Sequence, residues 1–449
     1  MRTFPIGGIH PHDNKEWSKD RAIERLELPD QVYIPMIQHI GAPSTPLVQK
    51  GDKVLTGQLI GQSAGFVSAN IHATISGTVT AVDGYANGQG QRRLMVVIKR
   101  EGDEWVESID RSPELKRECN LTSQEIIAKV KEAGIVGLGG AQFPTHVKLS
   151  VPDGQKAEVL IINGVECETY LTSDYRNMLE RAEELLTGVE ILMRAVNVER
   201  AVIGVENNKP DAISHLREVI EKDSYKGIEV MPLKMRYPQG GEKQLIAAVT
   251  GRQVPPPPAL PISVGAVVCN VSTAIAVYEA VQKNKPLIER VVTVTGKELK
   301  STHNYLARFG TPVSRLFDLA GLPEGDIKLL NGGPMMGRCI VDITAPLIKG
   351  CSGITVLSGK EATRGQELSC IKCGKCVDAC PMGLEPYLLA KLGKMQKWDI
   401  AEEHNGADCI ECGCCTYTCP SYLPLLDYIR LAKQAVAANM RARAAANKK

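Results

Sequence analysis

At 449 residues the chain is too long for one hydrophobic core, and three or four domains are expected. Its 53 basic and 51 acidic residues leave a net charge of +2, which argues against nucleic acid as a partner. No run reaches the roughly 18 apolar residues of a membrane-crossing helix, and the polar start Met1–Asp20 lacks a signal-peptide pattern, so a soluble chain in a reducing compartment is expected.

Residues 1 to about 30 read as irregular. His10 and His12 flank Pro11, a pairing that reads as a turn rather than a metal site. Short apolar stretches follow at Val32–Ile37, Val54–Ile60, Ile71–Val82 and Leu94–Ile98, separated by turn residues as in a small all-β domain. Within it, KGDKVLTGQLIGQ and SANIHATISGTVTAV resemble the barrel-sandwich hybrid of biotinyl and lipoyl carrier domains. Ser68–Thr80 contains no lysine to carry a swinging arm, so a structural or docking role is expected there.

From Thr122 the pattern becomes α/β. Thr122 and Glu125 form a candidate capping box ahead of the apolar face Ile126, Ile127 and Val130. A glycine-rich loop, GIVGLGGAQFPTHVK, runs from Gly134 to Lys148. Strands near Val159–Ile162, Ala201–Val205 and Ile228–Leu233 alternate with helices near Tyr175–Met193 and Pro210–Glu221, which predicts a largely parallel sheet. Pro255–Pro258 should be extended, and Val267–Val281 should be helical with Ala274, Ile275, Val277, Tyr278 and Val281 on its apolar face. Residues 291–358 read as a compact α+β unit, with strands at Val291–Gly296 and Leu329–Gly337 and a helix at Val313–Leu319.

The glycine loop is neither the dinucleotide fingerprint nor a Walker A motif: Gln142 stands where a third glycine would fall, and the loop follows a helix. Gly137, Gly139 and Gly140 would let backbone N–H groups approach a phosphate or a flat ring, with Lys148 neutralising phosphate charge; a tight turn fits equally well.

The most specific signal lies between Cys370 and Pro420. The run C-x2-C-x2-C-x3-C-P occurs twice, using eight of the 14 cysteines, and it is the spacing of bacterial two-cluster ferredoxins. Three thiolates at this spacing curl around one cluster while the fourth reaches the other. This assigns Cys370, Cys373, Cys376 and Cys419 to one 4Fe–4S cluster and Cys409, Cys412, Cys415 and Cys380 to a second. Zinc would be expected to draw on more histidine than His404, and disulfides need an oxidising compartment. Cys414 is expected to be a non-ligand. The alanine-rich basic tail from Leu431 reads as a helix with a solvated face.

The glycine loop, NGVECE (Asn163–Glu168), YPQGGEK (Tyr237–Lys243) and CNVST (Cys269–Thr273) resemble, in this order, the FMN and NADH site of the flavoprotein subunit of respiratory complex I. That family carries GRGGAGFPTG, NADESEPGT, CGEE and NNVET segments. The resemblance implies that Gly137, Gly139, Gly140, Lys148, Asn163, Glu166, Gly240 and Asn270 hold non-covalent FMN, while Phe143, Glu168 and Glu242 face the nicotinamide nucleotide. Departures fall at Val165 for Asp, Cys167 for Ser and Gly241 for the first Glu of the pair.

The order of segments along nearly the whole chain resembles the C subunit of the Rnf electron-transport complex. It implies a multidomain α/β plus α+β architecture: an N-terminal segment and barrel-sandwich hybrid (1–120), a Rossmann-like FMN/NADH domain (121–288), a β-grasp unit of the soluble-ligand-binding (SLBB) type (289–358), and a two-cluster ferredoxin-like helical domain with a basic tail (359–449). It further implies a peripheral subunit on the cytoplasmic face of an ion-translocating ferredoxin:NAD oxidoreductase. Its partners would be the membrane subunits and the ferredoxin-accepting iron–sulfur subunit, with NAD(H) as substrate. A cobalamin-reductase-like or hydrogenase-associated flavoprotein, and a non-catalytic iron–sulfur scaffold, are the alternatives.

Overall fold

The computed structural model describes residues 1–446. At its centre lies a four-stranded parallel sheet of Val159–Asn163, Ala201–Glu206, Ile228–Leu233 and Ala266–Asn270, ordered third, second, first, fourth. Its strands are largely apolar runs, as expected of a parallel sheet covered on both faces. Helices Ser123–Glu132, Ala182–Val196, Pro210–Lys222 and Val271–Lys283 share one core with Leu160, Ile162, Ile203 and Val267. Helix Glu242–Thr250 covers the other face through Leu245, Ile246 and Val249 against Ile161, Val202 and Val268.

Several expectations need correction. Val267–Val281 is not one helix: Ala266–Asn270 is a buried strand paired with Val159–Asn163, and the helix starts only at Val271. Asn270 makes the switch, its Oδ1 accepting from the Ser272 and Thr273 N–H groups at 2.9 and 3.4 Å. The helix expected over Tyr175–Met193 is two, Ser173–Glu180 and Ala182–Val196. Pro255–Pro258 does not stay extended, because the Ala259 N–H donates to the Pro256 carbonyl at 3.1 Å and closes a turn. The capping box at Thr122 and Glu125 forms as read.

Helices Ala182–Val196 and Val271–Lys283 approach closely where Gly188 faces Ala274. A Cβ added at Gly188 would lie 2.1 Å from the Ala274 carbonyl oxygen, an atom that cannot rotate away. Gly188→Ala should therefore cost about 1–3 kcal/mol, as overpacking does, and lower the thermal midpoint by about 2–4 °C per kcal/mol. An unchanged midpoint in calorimetry would show that the helices can separate freely.

The β domain is two facing sheets. Gln31–Pro35, Arg92–Gly102, Ser76–Ala86 and Lys53–Val54 form one, and Thr45–Pro46, Leu59–Gln62 and Ile71–His72 the other. Val32, Ile34, Ile60, Ile71, Ile75, Val96 and Ile98 fill the space between them. The first 25 residues do not join this domain. Arg2 bridges to Leu233, Ile9 pairs with Tyr237, and Ile23–Arg25 adds a parallel edge strand beside His303–Arg308. The sheet that receives this strand has six members, the others being Glu289–Thr295, Gly353–Ser358, Ile327–Asn331 and Arg338–Cys339, packed on helix Ser314–Ala320.

The cysteine-rich region is built of short helices, Lys375–Asp378, Pro386–Lys394, Trp398–Glu403 and Cys414–Tyr417, ending in the long helix Leu425–Ala446. The tail expected to be helical is so as far as Ala446, and residues 447–449 lie outside the described residues. Among the described residues no helix is long and apolar enough to cross a membrane.

Candidate functional site

Strand order in the parallel sheet reverses between Val159–Asn163 and Ala266–Asn270, and the crevice beyond the carboxyl ends of strands at such a point is where open α/β sheets bind ligands. Asn163 and Asn270 end these two strands directly opposite one another. Asn270 Nδ2 donates to Asp174 at 2.6 Å, and Asn163 Nδ2 donates to the Gly240 carbonyl at 2.8 Å, which brings the Tyr237–Lys243 segment to the same edge. The glycine loop closes on itself through the Gly137 N–H and the Phe143 carbonyl at 2.9 Å, and the Leu138 N–H anchors it to Thr273 Oγ1 at 2.9 Å.

The backbone offers room for a flat or phosphorylated ligand. Gly139 and Gly140 are exposed, and a Cβ at Gly140 would meet no atom within 4 Å. A Cβ at Gly139 would fall 2.7 Å from Asn270 Nδ2, so this position holds only glycine while Asn270 keeps its place. Lys148, on the short helix Thr145–Leu149, donates Nζ to Glu242 Oε1 at 2.8 Å and to the Val268 carbonyl at 2.9 Å. Burial opposes the ammonium charge, but Glu242 outweighs it and holds Lys148 above its ordinary range. The open backbone of this loop and the polar strand ends fit a bound FMN.

Glu166 and Glu168 hold backbone in place. Glu166 accepts the Asp174 and Tyr175 N–H groups at 2.7 and 3.2 Å and so caps helix Ser173–Glu180. Glu168 Oε1 accepts the Met335 and Met336 N–H groups at 2.6 and 3.3 Å, tying the strand end to the six-stranded sheet. Burial pushes each carboxyl up to about 7. Phe143 is half-buried and joins the site through its carbonyl. Sequence reasoning gave no role in the site to Cys167, whose Sγ accepts the Gly240 N–H at 3.3 Å, or to Arg290, which binds the Leu138 carbonyl from another domain. No spacing or composition signal gives either contact away, since each is made to a segment distant in the chain.

The two cysteine runs share a backbone conformation. Lys372, Gly374 and Gly383 have φ of 56°, 77° and 66°, and Glu411, Gly413 and Tyr422 in the second run have 57°, 80° and 52°. Left-handed positions at these places curl each loop so that N–H groups turn inward, the concavity that iron–sulfur sites use. The Leu384 N–H reaches Cys380 Sγ and the Glu411 N–H reaches Cys409 Sγ, both at 3.4 Å. Cys380 lies close enough to Cys409, Cys412 and Cys415 for their charges to interact, while Cys419 acts on Cys376. Burial pushes Cys409 up to about 11 and Cys415 up to about 12, a cost that iron offsets by binding the thiolate. The donor sets therefore suit two clusters. Cys370 and Cys373 are exposed; Cys414 is buried beside Ile9, Tyr237 and Ala379. The histidine turn holds a group unforeseen in the sequence, with ligand atoms of His12, Asp13 and Glu16 within 4.8 Å of one another and His10 outside it.

Both cysteine runs touch the segment that carries Gly240 and Glu242. The buried Tyr237 hydroxyl donates to the Cys412 carbonyl in the second run at 2.8 Å, and Gln244 Nε2 donates to the Pro381 carbonyl at the end of the first at 3.3 Å. Three family models match parts of the chain: the RnfC barrel sandwich hybrid domain matches residues 3–103, the Nuo51 FMN-binding domain 130–279, and the 4Fe-4S dicluster domain 369–422. Flavin and paired clusters on one polypeptide make this an electron-transfer iron–sulfur flavoprotein.

Relatives narrow the class. The C subunit of the proton-translocating ferredoxin:NAD(+) oxidoreductase complex of Clostridium ljungdahlii is 47% identical over 95% of this chain and 93% of its own. Its Na(+)-translocating counterpart from Acetobacterium woodii is 44% identical over 97% of each. The C subunit of the ion-translocating oxidoreductase complex of Rhodobacter capsulatus is 41% identical over 87% of this chain and 75% of its own. The chain belongs to this family, the C subunits of the ion-translocating ferredoxin:NAD(+) oxidoreductase (Rnf) complexes. A solved NAD+-reducing NiFe hydrogenase in the H2-reduced state shares the fold at a TM-score of 0.50 and 17% identity, over 70% of this chain; the match spans 62% of the hydrogenase chain, less than two thirds.

Proposed function

We propose that this chain is the NAD(H)-reacting subunit of a membrane-bound ferredoxin:NAD oxidoreductase, passing electrons between NAD(H), FMN and two 4Fe–4S clusters. Its partners are the membrane subunits and the ferredoxin-accepting iron–sulfur subunit, on the cytoplasmic face, and ion translocation belongs to the assembled complex. Bound FMN supplies the exchange between hydride chemistry and single-electron transfer that nicotinamide and clusters cannot make directly. The protein's share is placement. Gly137, Gly139, Gly140, Asn163, Gly240 and Asn270 form the bed, Glu166 sets its edge, Lys148 takes the phosphate, and Phe143, Glu168 and Glu242 border the nucleotide side. We divide the chain into the N-terminal segment and barrel-sandwich domain to 120, a Rossmann-like domain to 288, an SLBB-type β-grasp unit to 358, and the ferredoxin-like domain beyond.

The observation that carries this reading is the Tyr237–Cys412 hydrogen bond, which joins the segment bearing Gly240 and Glu242 to the second cysteine run. The cluster on Cys380, Cys409, Cys412 and Cys415 would be proximal to the flavin. The one on Cys370, Cys373, Cys376 and Cys419, with two exposed ligands, would face the partner. Anaerobically purified protein should hold about eight irons per chain and one FMN. Mixing with NADH should bleach the flavin first and the clusters after it. Protein with about four irons, or a flavin that NADH does not bleach, would overturn the proposal.

A further inference from the structure

Behind the glycine loop the structure buries two basic side chains that no carboxylate pairs with among the described residues, and burial lowers Lys349 to about 7. Arg290, on strand Glu289–Thr295, is 4% exposed. Its Nη1 donates to the Leu138 carbonyl at 2.9 Å and the Lys349 carbonyl at 2.8 Å, its Nε to the Val291 carbonyl at 3.3 Å, and its Nη2 has no partner. Lys349, 1% exposed, donates Nζ to the Gly134 carbonyl at 2.7 Å and the Asn70 carbonyl at 3.0 Å. The loop is thus gripped at Gly134 and Leu138 by side chains from the unit that follows the flavin domain.

A neutral donor could hold a carbonyl, and a buried charge without an ion pair is costly, so shape alone does not explain an arginine here. The carboxylates that act on Arg290 are Asp174 and Glu166, and neither bonds to it. Both belong to the rim of the crevice, Asp174 through Asn270 and Glu166 through the start of helix Ser173–Glu180.

We infer that Arg290 is a positioning residue for the flavin, fixing the Leu138 side of the loop and lending a fixed positive charge that favours the reduced cofactor. Bound FMN that took a hydride from NADH would gain two electrons and one proton, hence one negative charge, and would return the electrons singly to the clusters and the proton to solvent. A preorganised cation in a water-excluded site stabilises the charged form without reorganising. The inference rests on FMN lying over the glycine loop.

The test uses the full chain as Arg290→Gln and Arg290→Lys, reading the FMN midpoint potential by redox titration, FMN affinity by fluorescence, and iron content. In Arg290→Gln the preference for reduced over oxidised flavin should fall about tenfold, a drop of about 30 mV for a two-electron couple, with iron unchanged. Arg290→Lys should restore most of the potential. An Arg290→Gln protein with FMN bound at the wild-type potential overturns the inference. If Arg290→Gln does not fold, Arg290→Lys decides: charge kept and fork lost should leave the potential near wild type while FMN binds more weakly, and a potential that falls by the full tenfold equivalent overturns it. Wild-type protein unable to bind FMN would instead sink the flavin assignment on which the inference rests.

Discussion

Cys380→Ala should strip the protein of about half its iron while leaving the first cluster's spectroscopic signal in place. Each cluster takes four thiolates, and the fourth in each run stands beyond the turn that the other three make. The thiol of Cys380 interacts electrostatically with those of Cys409, Cys412 and Cys415, and as the proposed fourth ligand of their cluster its loss should open that cluster. Iron should therefore fall from about eight to about four per chain. Because that cluster is the one beside Tyr237, NADH should still bleach the flavin while electrons no longer reach the remaining cluster. Electron paramagnetic resonance on the reduced variant distinguishes the outcomes: loss of the first cluster with survival of the second would show that the fourth cysteines do not cross.

Lys148→Ala should act on the opposite cofactor. Its partner in the structure is Glu242, with both side chains partly exposed at 31% and 42%, so the ion pair contributes little to folding. A phosphate bound there makes a charge-assisted hydrogen bond worth roughly 1.5–3 kcal/mol, and deleting it should weaken FMN about tenfold to hundredfold. Iron should stay complete. NADH-driven reduction of an artificial acceptor should vanish after dialysis and return with excess FMN. Stoichiometric FMN after dialysis, with normal acceptor reduction, would mean that the loop is only a turn.

What could be read in the sequence was carried by local chemistry. Cysteine spacing needs no knowledge of the fold, and glycines at 137, 139 and 140 mark a loop wherever it lies. Strands dominated by β-branched and other apolar residues, such as Ala201–Glu206, also stood out. Residues whose meaning depends on distant chain did not. Val267–Val281 has a helical apolar period throughout, and only pairing with Val159–Asn163 turns its first residues into strand. His303–Arg308 mixes polar and apolar side chains and becomes a strand between two neighbours, one of them far away in sequence. Arg290 lies in an apolar run that gives no hint of the loop it reaches.

Residues 2–25 hold the domains together from outside. Arg236 donates to the Phe4 carbonyl at 2.8 Å across 232 positions, Asn304 Nδ2 to the Ser18 carbonyl at 2.9 Å across 286, and the Gly8 N–H to the Ala379 carbonyl at 2.9 Å. On the ribosome this segment pairs in stages: Arg2 and Ile9 can reach Leu233 and Tyr237 once the parallel-sheet domain has emerged, but Ile23–Arg25 must wait for strand His303–Arg308 and Gly8 for the first cysteine loop, since contacts this distant close only after the chain between them is made. It is a latch that shuts last. Ala379 adjoins Cys380, so the latch closes on the loop that holds the crossing ligand, and cluster insertion during biogenesis would come before the strap is fully seated.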